Sequence, residues 1–302
     1  MDIDSIKIHF SQDALWLLNL CLAIVMFGVA LDIRTSDFRR LWQNPKSSIL
    51  GIISQFVLLP ALTFLLIWII QPRPSIALGM IMVAACPGGN ISNFMTHLSG
   101  GNAALSVSLT AFATIGAIFM TPLNLEFWGN LYSPTAAILR SVSINPYDIF
   151  KTIALILGLP LVLGMWYRSY RPLMAQKMAQ WLKPLSILIF IAFVAVAFAL
   201  NFDIFLQVIH LVAAIVLAHN ALALATGYLV ARTFSLPLAD QKTLSIETGI
   251  QNSGLGLLLI FTFFDGLGGM AIVAAWWGIW HIISGLLIAW LWSGKKDLST
   301  TT

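Results

Sequence analysis

Long apolar runs alternate with short polar segments along the chain, and the runs are apolar on every face. They lack the polar stripe at helical spacing that a helix on a soluble core carries, so they read as helices surrounded by lipid and by one another. A membrane-crossing helix needs about 20 predominantly apolar residues. At that length the pattern predicts nine spans: Ala14–Leu31, Ser48–Ile70, Ser75–Leu98, Ala103–Thr121, Phe150–Tyr167, Pro184–Leu200, Ile204–Val230, Lys242–Phe264 and Met270–Trp292. From Pro74 to Leu125 there is no Asp, Glu, Lys or Arg. That stretch is too long for one helix, and turn signals must divide it.

Composition sharpens the class. Hydrophobic residues make up 59% of the 302 and charged residues 9%, against roughly 25% charged in an average soluble protein, and the mean hydropathy is +0.90. A soluble globular enzyme, a disordered chain and a nucleic-acid binder are excluded. The net charge of +4 comes from few charges spread along an apolar chain, so the expected surroundings are a lipid bilayer and no nucleic acid. The fold class is an all-α polytopic membrane protein. Cys21 and Cys86 lie in apolar stretches and read as small buried hydrophobes. Met1 to Asp13 carries Asp2, Asp4, Lys7 and Asp13 without the cationic start or cleavage site of a signal peptide, so the first run is expected to stay as a span.

Charge also orients the chain. If the N-terminus is outside, 12 of the 16 Lys and Arg residues fall on the cytoplasmic side, and only Lys7, Arg73, Arg140 and Lys151 fall outside. The positive-inside rule then favours an external N-terminus and a cytoplasmic C-terminus in a cell membrane. Trp128, Tyr132, Trp166, Tyr167 and Trp292 fall near span ends, as interfacial anchors do.

Two spans are interrupted. The third contains Cys86-Pro87-Gly88-Gly89-Asn90-Ile91-Ser92-Asn93, where a proline and two glycines break a helix at mid-depth. The eighth contains Glu247-Thr248-Gly249-Ile250-Gln251-Asn252-Ser253-Gly254, polar residues and glycines in the middle of an apolar run. Spans three and eight cross in opposite directions, so spans one to four can pair with six to nine as an inverted repeat, with span five left over. Interrupted helices at matching positions of two halves point to a transport site, because the freed carbonyls suit a cation and the freed amides an anion.

Glu247 is the one Asp or Glu read as lying well inside a span, and an intramembrane carboxylate is a functional-site hypothesis by default. Gln251 shares its helix face. Carboxylate, amide and carbonyl oxygens are hard ligands and suit Na⁺. Ser106 and Thr110 share a face of span four, and Ser92 and Asn93 follow the first break, although a single Ser or Thr in an apolar helix ordinarily bonds its own backbone. Gln55 fits either a ligand or helix–helix glue. His219 with Asn220, and His281, read as packing residues before proton relays.

The stretch Pro87 to Asn93 with Asn102-Ala103-Ala104-Leu105-Ser106, and the stretch Glu247 to Gly254, resemble the bile acid:sodium symporter family. Met26-Phe27-Gly28, Ser36-Asp37-Phe38, Gln55-Phe56 with Pro60, and Trp280-His281 with Ser284-Gly285 extend the likeness over most of the chain. The resemblance implies two inverted repeats with crossing broken helices. It also implies a core (residues 48–121 and 204–292) and a panel (residues 14–31 and 150–200), nine-spanned like the animal members rather than ten-spanned like bacterial ones. It implies two sodium sites. One would use Ser92, Asn93, Ser106, Thr110 and Glu247. The other would use Gln55, Glu247 and Gln251 with backbone carbonyls near Thr248 and Ile250. The substrate, an organic anion such as a bile acid-like molecule or a small carboxylate, would adjoin Asn90, Asn252 and His281. Relatives often carry Asn where this chain has Ile282, which leaves one amide fewer. The activity implied is sodium-coupled symport by alternating access, not catalysis. A cation/proton antiporter and an intramembrane hydrolase using His281 with Ser284 are the competing readings.

Overall fold

The computed structural model describes residues 3, 4, 7, 12–142, 145–200 and 202–293. Lys295 and Lys296, counted above on the cytoplasmic side, lie outside the described residues, as do most residues before Gln12. Among the described residues all extended regular structure is helical: α1 (Gln12–Ala30), α2 (Thr35–Gln43), α3 (Pro45–Ile70), α4 (Pro74–Ala85), α5 (Ile91–Leu98), α6 (Ala103–Leu131), α7 (Ser133–Val142), α8 (Pro146–Tyr170), α9 (Pro172–Leu200), α10 (Phe202–Thr233), α11 (Leu238–Gly249), α12 (Ser253–Phe263) and α13 (Gly268–Ser293).

Five of these stretches are long and apolar enough to cross a membrane: α3, α6, α8, the Val212–Thr233 part of α10, and α13. A sixth is added if α1 and α2, bent by 66° from one another, count as one unit. Their outward side chains are apolar too, including Trp68, Phe119, Leu163 and Trp290. Water would oppose such a surface and lipid accepts it.

The span edges shift in informative ways. The apolar pattern ends the fourth span at Thr121, before Pro122, but α6 runs on to Leu131. Asn124, Leu125 and Gly129 stay buried on the face that carries Thr121, so packing outweighs the one backbone bond that a proline removes. In the same way α9 begins at Pro172 and passes through Pro184. Two short helices had no clear sequence signal. One is α2, whose Asp37 carboxylate accepts the Arg34 amide at 2.7 Å and starts the helix. The other is α7.

The interrupted spans are interrupted. Helix α4 stops at Ala85 and α5 starts at Ile91; α11 stops at Gly249 and α12 starts at Ser253. Helix α4 packs on α6 and α13, α10 packs on α11 and α13, and α5 lies against α6, α11 and α13. Helix α1 packs mainly on α8 and α9. The largest apolar cluster centres on α4, α12 and α13, with Met80, Met82, Leu258 and Trp277 fully buried.

Helix α3 is not uniform. A wide turn at Ser54–Leu58 carries the Leu59 amide to the Ser54 carbonyl, five residues back, and Pro60 has no N–H to give the Phe56 carbonyl. Asn124 of α6 supplies that donor, Nδ2 to Phe56 O at 3.1 Å, and Trp128 Nε1 in turn donates to Asn124 Oδ1 at 3.1 Å. Such turns accompany functional sites, and this one contains Gln55. Replacing Asn124 by Leu strands the Phe56 carbonyl and the Trp128 N–H. The expected cost is about 1–3 kcal/mol, read as a lower melting temperature in detergent.

Candidate functional site: a carboxylate cage where two helix breaks meet

The two breaks touch. Gly89 N donates to Ile250 O at 2.7 Å and Asn252 N donates to Pro87 O at 2.8 Å, an antiparallel bridge centred on Gly88 and Gln251. The glycines make this approach possible. A Cβ on Gly89 would lie 3.0 Å from the Gln251 carbonyl oxygen, and one on Gly88 would lie 3.2 Å from that of Glu247. Other freed carbonyls of the first break are also taken: Thr121 Oγ1 donates to Ala85 O at 2.8 Å and Gln55 Nε2 to Cys86 O at 3.2 Å. Asn252 and Asn102 cap the helices that follow them, each accepting a backbone amide at 3.1 Å.

Glu247, on the last turn of α11, is buried among hydroxyls. Ser92 Oγ donates to its Oε1 at 2.5 Å, Ser106 Oγ also reaches Oε1, and Thr110 Oγ1 donates to Oε2 at 2.9 Å. Asn93 Oδ1 faces the same hydroxyls, 2.8 Å from Ser106 and 3.2 Å from Thr110. Three hydroxyl hydrogens thus serve five close oxygen–oxygen contacts. Each hydroxyl has a single proton and two lone pairs, so the cage gathers a carboxylate, an amide and three hydroxyls whose oxygens are hard donors that suit a cation.

Gln55 and Gln251 form a second polar group at the bridge, and a Cβ on Gly88 would lie 3.5 Å from Glu247 Oε2 and 3.7 Å from Gln55 Oε1. Gln55 Nε2 donates to Gln251 Oε1 at 2.9 Å, and Gln251 Nε2 donates to Thr248 O at 2.8 Å. The Thr248 hydroxyl is buried and has no hydrogen-bond partner, while the Ile250 carbonyl is held by Gly89. All nine residues named above for cation binding therefore gather around the crossing.

The residues named for the substrate do not form one hydrogen-bonded group. Asn90 Oδ1 and His281 Nδ1 are buried without partners, and Asn252 is engaged as a cap. Ile282 packs on Met95, Ile246 and Ile250, so the missing amide is replaced by apolar packing. Ser284 directs its hydroxyl to Asn220 Oδ1 at 2.6 Å and to the His281 carbonyl at 3.2 Å, not to the imidazole. The serine–histidine pair required by a hydrolase is not formed.

Several residues of this region escaped the sequence reading. Thr96 stands 3.3 Å from Ser106 Oγ. Asp240 is also buried, so Glu247 is not the sole buried carboxylate; Asp240 accepts from Ser47 at 2.6 Å and Asn102 Nδ2 at 2.8 Å. Lys242, expected at a water-facing edge, is buried and donates to Ser99 O at 2.8 Å. Helix α11 begins at Leu238, four residues before the predicted edge, which draws both charges inside. Asn220, read only as a neighbour of His219, donates to Gly249 O at 2.8 Å. A polar residue within an apolar run was the available signal for Asn220, but its partner was not in view.

An all-helical membrane protein whose polar residues converge on two touching helix breaks is a transporter rather than an enzyme. Comparison with known proteins makes the class specific. Residues 19–208 match the sodium bile acid symporter family, and the chain belongs to that family. It is 32% identical over 278 residues to an uncharacterized sodium-dependent transporter of Bacillus subtilis, covering 92% of this chain and 83% of that protein. It is 30% identical to a probable chloroplastic sodium/metabolite cotransporter of rice, covering 90% of this chain and 64% of the relative. It is 27% identical to a sodium-dependent organic anion transporter of mouse, covering 90% and 72%.

Proposed function

We propose that this protein is a secondary active transporter that couples inward movement of Na⁺ to uptake of an organic anion by alternating access. The observation that carries the proposal is the Glu247 cage: a buried carboxylate, an amide and three hydroxyls drawn from three helices to one point where two helix breaks cross. One Na⁺ would be held by Ser92, Asn93, Ser106, Thr110 and Glu247. A second would be held by Gln55, Glu247 and Gln251 with the carbonyls near Thr248 and Ile250, once the amide groups now on those oxygens turn away. In the family reading Asn90, Asn252 and His281 border the anion.

The relatives' names, which specify sodium with a metabolite or an organic anion, support this substrate class. A nine-span chain with an external N-terminus is consistent with the helix order and with the charge distribution. The close association of α1 with α8 and α9 supports a panel, which meets the core where α6 packs on α8 and α12 on α1. Two Na⁺ with a monovalent anion would carry one net charge, worth about 2.3 kcal/mol per 100 mV.

The test is uptake into proteoliposomes under an inward NaCl or KCl gradient, with labelled cholate, a sulfated steroid and a short carboxylate as probes. Sodium-dependent accumulation of a probe, stimulated by an inside-negative potential, is the expected result. Sodium flux that follows a pH gradient and needs no organic anion would establish an antiporter instead.

A further inference from the structure

We infer that Asn220 is a positioning residue for the cation site: it holds the Gly249 carbonyl so that the carbonyls on either side, those of Thr248 and Ile250, stay turned into the crossing. The inference rests on the sodium reading above and adds a residue that lies outside the ligand set.

The helical ladder of α11 ends when the Ile250 amide bonds the Ile246 carbonyl at 2.9 Å. The next carbonyls have no successor in the helix and must be held otherwise. Thr248 O accepts from Gln251 Nε2, Gly249 O from Asn220 Nδ2 and Ile250 O from Gly89 N, at 2.8, 2.8 and 2.7 Å. Two of these donors belong to the crossing itself; Asn220 belongs to α10 and reaches the segment from a neighbouring helix. The Gly249 carbonyl lies between the two carbonyls offered to the ion, so a bond that ties it to α10 restrains the stretch of backbone that carries both.

Two features fix Asn220 itself. The first is its helix. Asn220, Leu224 and Gly227 share one face of α10, and that face runs along α11. Ser245 Oγ donates to Leu224 O at 2.8 Å. A Cβ on Gly227 would lie 2.1 Å from Leu244 O, and one on Gly249 would lie 2.3 Å from the Leu224 side chain. This contact is too close to slide. The second is the amide's orientation. The Gly249 carbonyl can only accept, so it faces Nδ2, and Oδ1 is left for the Ser284 hydroxyl at 2.6 Å. Asn220 is completely buried, so no water competes for these bonds.

A neighbouring residue provides the control. His219, next along α10 and equally buried, pairs its Nε2 with Thr63 Oγ1 at 2.7 Å, away from the crossing. Breaking that bond perturbs the same helix without touching a crossing carbonyl.

The experiment is thermal unfolding of the purified protein in detergent, with NaCl titrated against KCl at constant ionic strength, for wild type, Asn220→Leu, Ser284→Ala and Thr63→Val. In wild type Na⁺ raises the melting temperature. In Asn220→Leu the NaCl concentration needed for a given rise increases about tenfold, the ratio that loss of one hydrogen bond corresponds to. Ser284→Ala gives a smaller increase, and Thr63→Val lowers the melting temperature in KCl but keeps the wild-type concentration dependence. An Asn220→Leu concentration dependence equal to wild type, with only a lower melting temperature, overturns the inference. Should Asn220→Leu fail to fold, an unchanged concentration dependence in Ser284→Ala overturns it. No Na⁺ response in wild type overturns the sodium reading and this inference together.

Discussion

Replacing Glu247 by Gln should abolish sodium-driven uptake while leaving the protein folded. The carboxylate is the one group proposed to serve both cations, so its loss removes both sites and the charge that balances them. Its three hydroxyl partners can still be satisfied, because the amide oxygen accepts from Ser92 and Ser106 and the amide nitrogen can donate to Thr110 Oγ1, which then donates to Asn93 Oδ1. A buried charge is costly without a counter-ion, so the variant should melt in KCl at or above the wild-type temperature. Saturating Na⁺ stabilises a folded-state binder by about 2.7 kcal/mol at a hundredfold excess over Kd, and the variant should forfeit that gain. The joint signature of undiminished stability in KCl with no response to NaCl separates loss of a ligand from loss of fold. Unfolding scans alongside proteoliposome uptake would check it. A Glu247→Gln variant that still accumulates substrate with Na⁺ would remove the carboxylate from the mechanism.

Gly227→Ala should be severely destabilising. The added Cβ would meet backbone, 2.1 Å from Leu244 O and 2.5 Å from Leu244 C, and no rotamer change relieves a backbone clash. Helices α10 and α11 would have to part, straining the Ser245–Leu224 and Asn220–Gly249 bonds together. Overpacking of this kind costs about 3 kcal/mol or more. Gly256→Ala in α12 is the matched comparison. Its Cβ would have no neighbour closer than 3.6 Å, and alanine is the better helix former by about 1 kcal/mol. Melting temperatures of the two variants should therefore move in opposite directions. Equal behaviour would show that the approach of α10 to α11 is looser than described.

Much of this architecture is written locally. Apolar runs of membrane length mark the helices, and Pro87-Gly88-Gly89 marks the first break because proline and glycine act within a turn. Glu247 stands out as a carboxylate within a predicted span, and Gln251, Ser106 and Thr110 as polar residues at helical spacing. Features that depend on partners far along the chain are not legible in this way. Helix α6 continues through Pro122 because its far end packs. Lys242 is buried because the Ser99 carbonyl, 143 residues away, receives its ammonium, and Asp240 because Asn102, 138 residues away, donates to it. The role of Asn220 depends on Gly249 in the same manner. The hydroxyl–carboxylate cage was legible only through the family motif. Spacing alone places Ser106 and Thr110 on one face but does not say what they face.

The most direct test of sodium coupling at the crossing is the wild-type melting temperature in detergent as NaCl replaces KCl at constant ionic strength. The expected result is a Na⁺-specific rise that grows with the logarithm of concentration above Kd and disappears in Glu247→Gln. Identical melting in the two salts, with Na⁺ at hundreds of millimolar, would contradict it.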